Sequence, residues 1–350
     1  MLALASTRVA WLVSNVKTAD PDELLNTELA SSRMRAGVCI RACRQAGIPV
    51  LPLNLVGTDE LPTVAFMSKY VHDSGANLYL HDGGARWDFW TEQVARIKAA
   101  GGRLIVDYTD NHLAGDDMRT QWYQHILPKV DGMVVPSEKM AENARTYWDG
   151  PLWLIPEPIE VPILPPRPLP DLSLPGSRLQ ALWFGHNSNL PYLYRFIQNE
   201  MHHCPPMDVT ILTNHLDTQQ LKAVIARGPK GAQWRVGKWS VAAMVEAAKS
   251  CHVALIPSDA GDPRKNGASN NRVVTALALG LVPLATIIES YREFGRAMMD
   301  LTQLTADQKW SNRFQEASAA SVHVQANVQD QYSELVIGAR WLKLAEEFSS

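Results

Sequence analysis

The apolar residues of this chain fall into short continuous runs that alternate with longer mixed stretches. In the first half, Arg8–Val13, Arg103–Asp107, Gly132–Pro136 and Leu152–Ile155 have the length and apolar content of buried strands. Ile48–Leu51 reads as a further strand, weakened by Pro49, and Asn77–His81 as another. Helical patterns lie between them. Ser14–Glu28 is a polar loop, after which Ser31-Ser32-Arg33-Met34-Arg35 leads into a helix through Val38, Ile40, Ala42 and Cys43 to Gly47. Trp87–Ala100 carries Trp87, Trp90, Val94 and Ile97 at helical spacings. Met118–Leu127 is a short helix, and Ser137 is the expected N-cap of another that runs to Tyr147. This beat of strand and helix predicts a parallel sheet covered on both faces.

Between Pro156 and Pro175 the texture changes, because eight prolines interrupt any regular element. The alternation then restarts. Strands are expected at Leu179–Phe184, Asp208–Thr213, Ala232–Val236, Val253–Ile256 and Leu281–Ala285. Helices are expected at Tyr192–Met201, Gln219–Ala226 and Val241–Lys249, the last capped by Ser240. Trp310–Val328 and Tyr332–Phe348 close the chain as helices. The predicted layout is an α/β chain of two domains. Residues 1–157 form the first, 158–177 a stiff proline-rich linker, 178–330 the second, and 331–350 a helix that packs back on the first domain.

Bulk properties sharpen this only a little. A chain of 350 residues accommodates two cores, and 46% hydrophobic with 20% charged residues is globular rather than disordered. A formal net charge of −3 argues against a nucleic-acid partner. The four cysteines, Cys39, Cys43, Cys204 and Cys251, lack metal-pair spacing and read as reduced thiols. No signal-peptide pattern and no membrane-spanning run is visible, which points to a cytoplasmic protein. Peripheral contact with the inner face of a membrane stays open.

The stretch most suggestive of chemistry runs from Cys251 to Phe294. The strand Val253–Ile256 ends at Pro257 and Ser258, and a polar loop with Arg264 and Lys265 follows. Asn270, Asn271 and Arg272 open a helix that stops at Gly280, a residue suited to the turn after a helix. The loop after a strand of an open α/β sheet is where ligands bind. A helix start offers backbone N–H groups and partial positive charge, to which Arg264, Lys265 and Arg272 add formal charge. The unit reads as a site for a phosphate-bearing ligand. An ordinary βαβ unit with a solvated basic loop accounts for the same residues. No G-x-G-x-x-G follows the first strand, so a dinucleotide fingerprint is missing.

An ordered series of pieces now carries a resemblance. It comprises Ser32-Arg33-Met34-Arg35, the loop Asp107–His112, Val135-Pro136-Ser137 and Ile155-Pro156-Glu157-Pro158 in the first half. In the second half it comprises Phe184-Gly185-His186 with Asn189, Trp239-Ser240, Cys251–Pro257, Lys265 with Asn270-Asn271-Arg272, Ala276–Gly280 and Ser290-Tyr291-Arg292-Glu293. The series resembles glycosyltransferases of the GT-B type, in particular bacterial glycan-biosynthetic members similar to glycosyltransferase family 4. The resemblance implies two Rossmann-like domains facing across a cleft. It also implies transfer of a sugar from a nucleotide-sugar donor to a glycan or other hydroxyl acceptor. Well-known retaining members carry an acidic residue ahead of the helix and a glutamate further on that holds the ribose. Here Asn270, Asn271 and Thr275 occupy the polar positions instead.

The roles follow from the resemblance and from charge. Lys265 is the expected diphosphate binder, because a fixed cation stabilises the charge that develops on a departing phosphate. Arg264 is its partner or a solvated neighbour. Asn270 and Asn271 either donate to the ligand or cap the helix. Gly185 would let backbone approach the ligand, with His186 and Asn189 touching phosphate or sugar or merely closing the turn. Arg33, like Arg35, faces a ligand or is solvated; in the first case it reaches the diphosphate from the opposite domain. An inverting enzyme needs a base, for which His81, Asp82, Asp110 and His112 stand at strand ends, Asp110 and His112 first. No cofactor or metal is expected. A sugar-nucleotide epimerase or hydrolase, or a non-catalytic nucleotide-sugar or glycan-binding protein, would use the same scaffold.

Overall fold

The computed structural model describes residues 7–13, 19–25, 27, 29–30, 32–68, 86–116, 118–215, 217–263, 265–303 and 309–348. The expected strand Asn77–His81, the base candidates His81 and Asp82, part of the loop Ser14–Glu28, and Arg264 lie outside the described residues, as does the side chain of Trp87. The chain divides into two compact units. One comprises Met1–Pro158 with Asn266–Ser269 and Glu334–Ser350, the other Ile159–Lys265 with Asn270–Ser333.

The first unit holds a sheet of β1 (Val9–Val13), β2 (Val64–Ser68), β3 (Arg103–Asp107), β4 (Gly132–Val135) and β5 (Leu152–Leu154), all parallel and in that spatial order. β1 shows why its run is apolar throughout. Val9, Trp11 and Val13 enter the core on one face, Ala10 and Leu12 the core on the other. The helices are α1 (Val38–Gln45), α2 (Arg86–Ala99), α3 (Met118–Ile126) and α4 (Glu138–Arg145). Trp90, Val94 and Ile97 of α2 and Trp122 and Ile126 of α3 fill the Ala10–Leu12 side. Ser137 caps α4 as expected, its Oγ accepting from the Met140 N–H.

Two expectations need correction. Ile48–Leu51 is not a strand but a single bridge, Val50 to Val9. Val9 donates to the Pro49 carbonyl and Leu51 to the Val9 carbonyl, and Pro49 has no N–H with which to extend the ladder. Conversely, Val64–Ser68 forms a full strand where the sequence pattern predicts no element.

The second unit contains β6 (Leu179–Phe184), β7 (Met207–Thr213), β8 (Trp234–Lys238), β9 (Val253–Ile256), β10 (Val282–Ala285) and β11 (Met299–Asp300). Its helices are α5 (Leu190–Asn199), α6 (Thr218–Ile225), α7 (Val241–Ala248), α8 (Asn271–Ala278) and α9 (Lys309–Tyr332). The strands are all parallel, in the order β11-β10-β9-β6-β7-β8. The chain moves outward from β6 through β7 to β8, then returns to the other side of β6 with β9. The strand order therefore reverses between β6 and β9. Leu179, Ala181 and Trp183 pack with Leu193, Phe196 and Ile197 of α5 and with Trp310 and Phe314 of α9. Ser240 caps α7 through the Ala243 N–H. Gly280 follows α8 at φ +70°, the left-handed conformation expected there. A Cβ at Gly280 would lie 2.6 Å from the Pro165 carbonyl oxygen, because the proline-rich segment runs against this end of α8.

The last helix, α10 (Glu334–Glu347), belongs to the first unit and packs on α1. Trp341 meets Trp11 and Phe66 edge-on, with ring centroids 5.5 and 5.2 Å away, while those two rings stack on each other at 5.0 Å. Among the described residues no helix is long and apolar enough to cross a membrane.

Candidate functional site

In an open parallel sheet, helices before and after a strand leave a crevice at the carboxyl ends of the two strands where the order reverses. In the second unit that position belongs to β6 and β9, which pair directly. The loops leaving these two strands are Gly185–Asn189 and Ser258–Asn270, which contain all the described donor-side residues expected from sequence except Asn271, the first residue of α8.

The loop after β9 is shaped by its own backbone. Asp259 accepts from the Gly261 N–H at 3.0 Å and pairs with Arg195 at 3.1 Å, and Lys265 N donates to the Asp262 carbonyl at 2.9 Å. The Lys265 side chain, half-buried, makes no hydrogen bond or ion pair among the described residues. Asn270 is the N-cap residue of α8 and is 2% exposed, yet its side chain does not cap the helix. Its Nδ2 instead donates to Glu293 Oε1 at 2.5 Å and to the Tyr332 hydroxyl at 3.2 Å. Tyr332 is fixed in turn, its carbonyl accepting from Ile159 N at 2.8 Å. Asn271 stands at the first turn of α8, half-buried.

The turn after β6 is closed by His186, whose Nδ1 lies 2.9 Å from Ser188 Oγ and accepts from the Ser188 N–H. Asn189 N donates to the His186 carbonyl, and the Asn189 side chain does not cap α5. A Cβ on Gly185 would lie 3.8 Å from Cζ of Arg272 and 3.5 Å from Trp183. The structure therefore brings Gly185 beside Arg272, a residue noted from sequence only as extra charge.

In the first unit, the strand ends carry a different arrangement. Asp107, the last residue of β3, is fully engaged by Arg35, which is 0% exposed. Arg35 Nε lies 3.0 and 3.1 Å from the two Asp107 oxygens, and Nη2 lies 2.5 Å from Oδ1. Arg35 Nη1 donates to the Ile155 carbonyl, and the guanidinium sits over Trp341 at 5.1 Å. Arg33 is also buried, with Nη1 on the Thr27 carbonyl at 2.5 Å. Neither arginine is solvated.

The loop after β3 presents Asp110 and His112. His112 Nε2 is 3.9 Å from Asp110 Oδ2, beyond hydrogen-bond reach, and its ring stacks on Tyr123 at 5.6 Å and 14°. Tyr108 anchors the loop, donating to Asn111 Oδ1 and accepting from the Leu113 N–H at 2.8 Å. Burial pushes the Tyr108 phenol well above its ordinary pKa, so it acts as a neutral scaffold. Among the described residues no group of three or more His, Cys, Asp or Glu side chains converges to hold a metal.

Glu293, noted from sequence only within the Ser290-Tyr291-Arg292-Glu293 piece, is the partner of Asn270, a contact that sequence reasoning missed. It lies 23 residues beyond Asn270 in a separate turn, and no local spacing joins the two.

No protein-family model matches the chain, nor does any curated protein. Solved structures do. A glycosyltransferase from Rickettsia africae ESF-5 superposes with a TM-score of 0.59 at 10% identity, over 98% of both chains. AviGT4, a glycosyltransferase involved in avilamycin A biosynthesis, gives 0.55 at 12%, again over 98% of both. The chain has the GT-B fold. The pneumococcal O-GlcNAc transferase GtfA, solved with UDP and GlcNAc, gives 0.55 at 12% over 81% of this chain. This chain spans 56% of that transferase's length.

Proposed function

We propose that this chain is a glycosyltransferase that moves a sugar from a nucleotide-sugar donor to a hydroxyl acceptor. The observation that carries this reading is the position of Lys265, an ammonium without a partner among the described residues, in the loop at the β6/β9 strand reversal. An unpaired cation ahead of the start of α8 suits a diphosphate, whose negative charge grows as the sugar–phosphate bond breaks. The fold, matched end to end by two glycosyltransferases, supports the same reading. The pneumococcal relative binds UDP and GlcNAc, which makes UDP-sugars the first donors to examine.

Within this reading, Gly185, His186 and Asn189 flank the donor from the β6 loop, and Asn271 donates to it from α8. Asn270 acts indirectly, by holding Glu293. Asp110 and His112 serve as the acid–base pair that takes the proton of the acceptor hydroxyl. Arg33 would have to leave the Thr27 carbonyl to reach a ligand, so its part is the weakest of the set. Arg264 is the proposed neighbour of Lys265.

The test is binding of UDP-, GDP-, ADP- and CMP-sugars to the wild type and to Lys265→Ala. Selective binding of one class, weakened about tenfold or more in the variant, is expected for loss of one charge-assisted phosphate contact. Binding of no member of the panel would overturn the reading. Consumption of the bound donor without any acceptor would move it to an epimerase or hydrolase.

A further inference from the structure

His112 opens the short turn that follows β3, and the chain on either side of it is tied to a single hydroxyl. Tyr108 Oη donates to Asn111 Oδ1 at 3.0 Å and accepts from the Leu113 N–H at 2.8 Å. A phenol has one proton to give and lone pairs with which to receive, and here both bonds land on the residues immediately before and after His112. The His112 main chain is held as well. Its N–H donates to the Asp110 carbonyl at 2.8 Å, and its carbonyl accepts from Thr120 Oγ1 of α3 at 2.7 Å and from the Gly115 N–H at 3.2 Å.

The imidazole has a support of its own. It lies 5.6 Å from the Tyr123 ring at 14°, an offset stack. Tyr123 is met edge-on in turn by Tyr108, at 5.1 Å and 87°. Both tyrosine rings belong to the core on the Ala10–Leu12 side of the sheet, 0% and 2% exposed for Tyr108 and Tyr123. Packing alone accounts for the two rings. It does not account for the Tyr108 hydroxyl, because a phenylalanine would fill the same space with no buried oxygen to satisfy. Loops that leave strands are ordinarily the more mobile parts of a domain, yet this one is pinned on both sides of one histidine.

We infer, on the reading that His112 takes the acceptor proton, that Tyr108 and Tyr123 are its positioning residues. Tyr108 fixes the backbone that carries the imidazole, and Tyr123 fixes the plane of the ring. Both are too deeply buried to touch a substrate, so they act through His112 alone. The Nε2 that faces Asp110, 3.9 Å away, then needs no reorientation when a hydroxyl arrives. A base held in advance avoids the entropy of orienting it at the moment of reaction.

Proton NMR of the ligand-free protein is the first measurement. The His112 ring signals, identified by their loss in His112→Gln, are expected upfield of those of an exposed histidine, because they lie over the face of Tyr123. That displacement should persist in Tyr123→Phe and vanish in Tyr123→Leu. Turnover is then measured with the preferred sugar nucleotide of the UDP, GDP, ADP and CMP panel and octyl glycosides as hydroxyl acceptors. Tyr108→Phe and Tyr123→Leu are expected to lower kcat about tenfold or more, while donor affinity by calorimetry stays within about twofold. Tyr123→Phe should keep the wild-type kcat. Tyr123→Leu combined with His112→Gln should be no slower than His112→Gln alone, because nothing is left to position. Tyrosines with a merely structural role would slow the His112→Gln protein by the same factor as the wild type, and that result overturns the proposal. So do His112 signals that stay upfield in Tyr123→Leu. Should Tyr108→Phe fail to fold, the Tyr123 variants decide alone. Turnover unchanged by His112→Gln overturns the base reading, and the catalytic purpose of the tyrosines with it. A failed brace shows differently, as His112 signals at exposed positions beside an intact effect of His112→Gln.

Discussion

Ser137 Oγ donates to the carbonyl of Gly267, 2.9 Å away and 130 residues later, while accepting from the Met140 N–H. One hydroxyl thus caps α4 and holds the segment Asn266–Ser269, which belongs to the first unit although Lys265 and Asn270 on either side belong to the second. Gly267 is there because nothing larger fits. A Cβ would lie 2.9 Å from Asn143 Nδ2 and 3.0 Å from Met140 N and Cα. Gly267→Val is therefore expected to displace the segment, at roughly 1–3 kcal/mol of overpacking. Because the segment is flanked by Lys265 and Asn270, the expected readout is weaker nucleoside diphosphate binding with the secondary structure intact. Ser137→Ala, losing a cap and a hydrogen bond, is expected to lower the stability of the first unit by about 1–2 kcal/mol. Circular dichroism melts and calorimetric affinities of both variants check this.

The buried Arg35–Asp107 pair makes a different prediction. Both side chains are at most 1% exposed, so removing one partner leaves the other charged and dry. Asp107→Leu is expected to cost roughly 3–5 kcal/mol. The double variant Arg35→Met/Asp107→Leu is expected to regain most of it, because two apolar groups replace two charges. Denaturant unfolding, followed through the transition of the first unit, measures the difference. A double variant no more stable than Asp107→Leu alone would mean that the pair contributes packing rather than charge.

What the sequence made legible was the order of elements. Runs such as Val9–Val13 and Val253–Ile256 are apolar at every position because both faces of each sheet are covered. Ser137, Ser240 and Gly280 announced helix ends through chemistry that acts over a few residues. Val64–Ser68 carries a short apolar run like that of Val253–Ile256, and so short a run does not by itself distinguish a strand from a piece of helix. Ile48–Leu51 was overread because its apolar residues look like a strand while Pro49 removes the donor a ladder needs. In the candidate site, the loops at β6 and β9 could be named, since each follows its strand directly. Their pairings could not. Arg35 meets Asp107 across 72 residues and Asn270 meets Glu293 across 23, and only the folded sheet sets those distances. Arg272 was visible as a charge, but its place over Trp183 and Phe184 is set by the packing of α8 on β6 and not by its neighbours in sequence.

Asp110 and His112 stand 3.9 Å apart on the exit loop of β3, with the imidazole held against Tyr123. If they take the acceptor proton, Asp110→Asn and His112→Gln should each lower turnover about 100-fold, within the usual range for a general base. Donor affinity should stay within about twofold, because neither group is assigned to the phosphates. The double variant should be little worse than either single one, as expected for residues acting as a unit. Steady-state rates with the preferred donor, beside calorimetric donor affinities, separate the outcomes. Unchanged turnover in both variants would remove the base role and favour a mechanism that needs no side-chain base.

His252 offers a pH test in the second unit that is independent of any ligand. It is 8% exposed, and its Nδ1 accepts the Gln180 N–H at 3.0 Å, which fixes the neutral tautomer with the proton on Nε2. Burial first, and the positive charge of Arg167 second, hold its pKa below the ordinary histidine value of 6.5. At a pH between the folded and unfolded values, the unfolded chain binds a proton that the folded chain does not. Stability then rises with pH. The contribution is complete above about pH 6.5 and is lost as the pH falls through the folded pKa. His252→Asn supplies an acceptor oxygen near the position of Nδ1 but does not titrate. Urea midpoints of the second unit, taken at about pH 7.5 and about pH 5, should therefore fall more steeply for the wild type than for His252→Asn. Equal falls in the two proteins would assign the acid sensitivity to other groups.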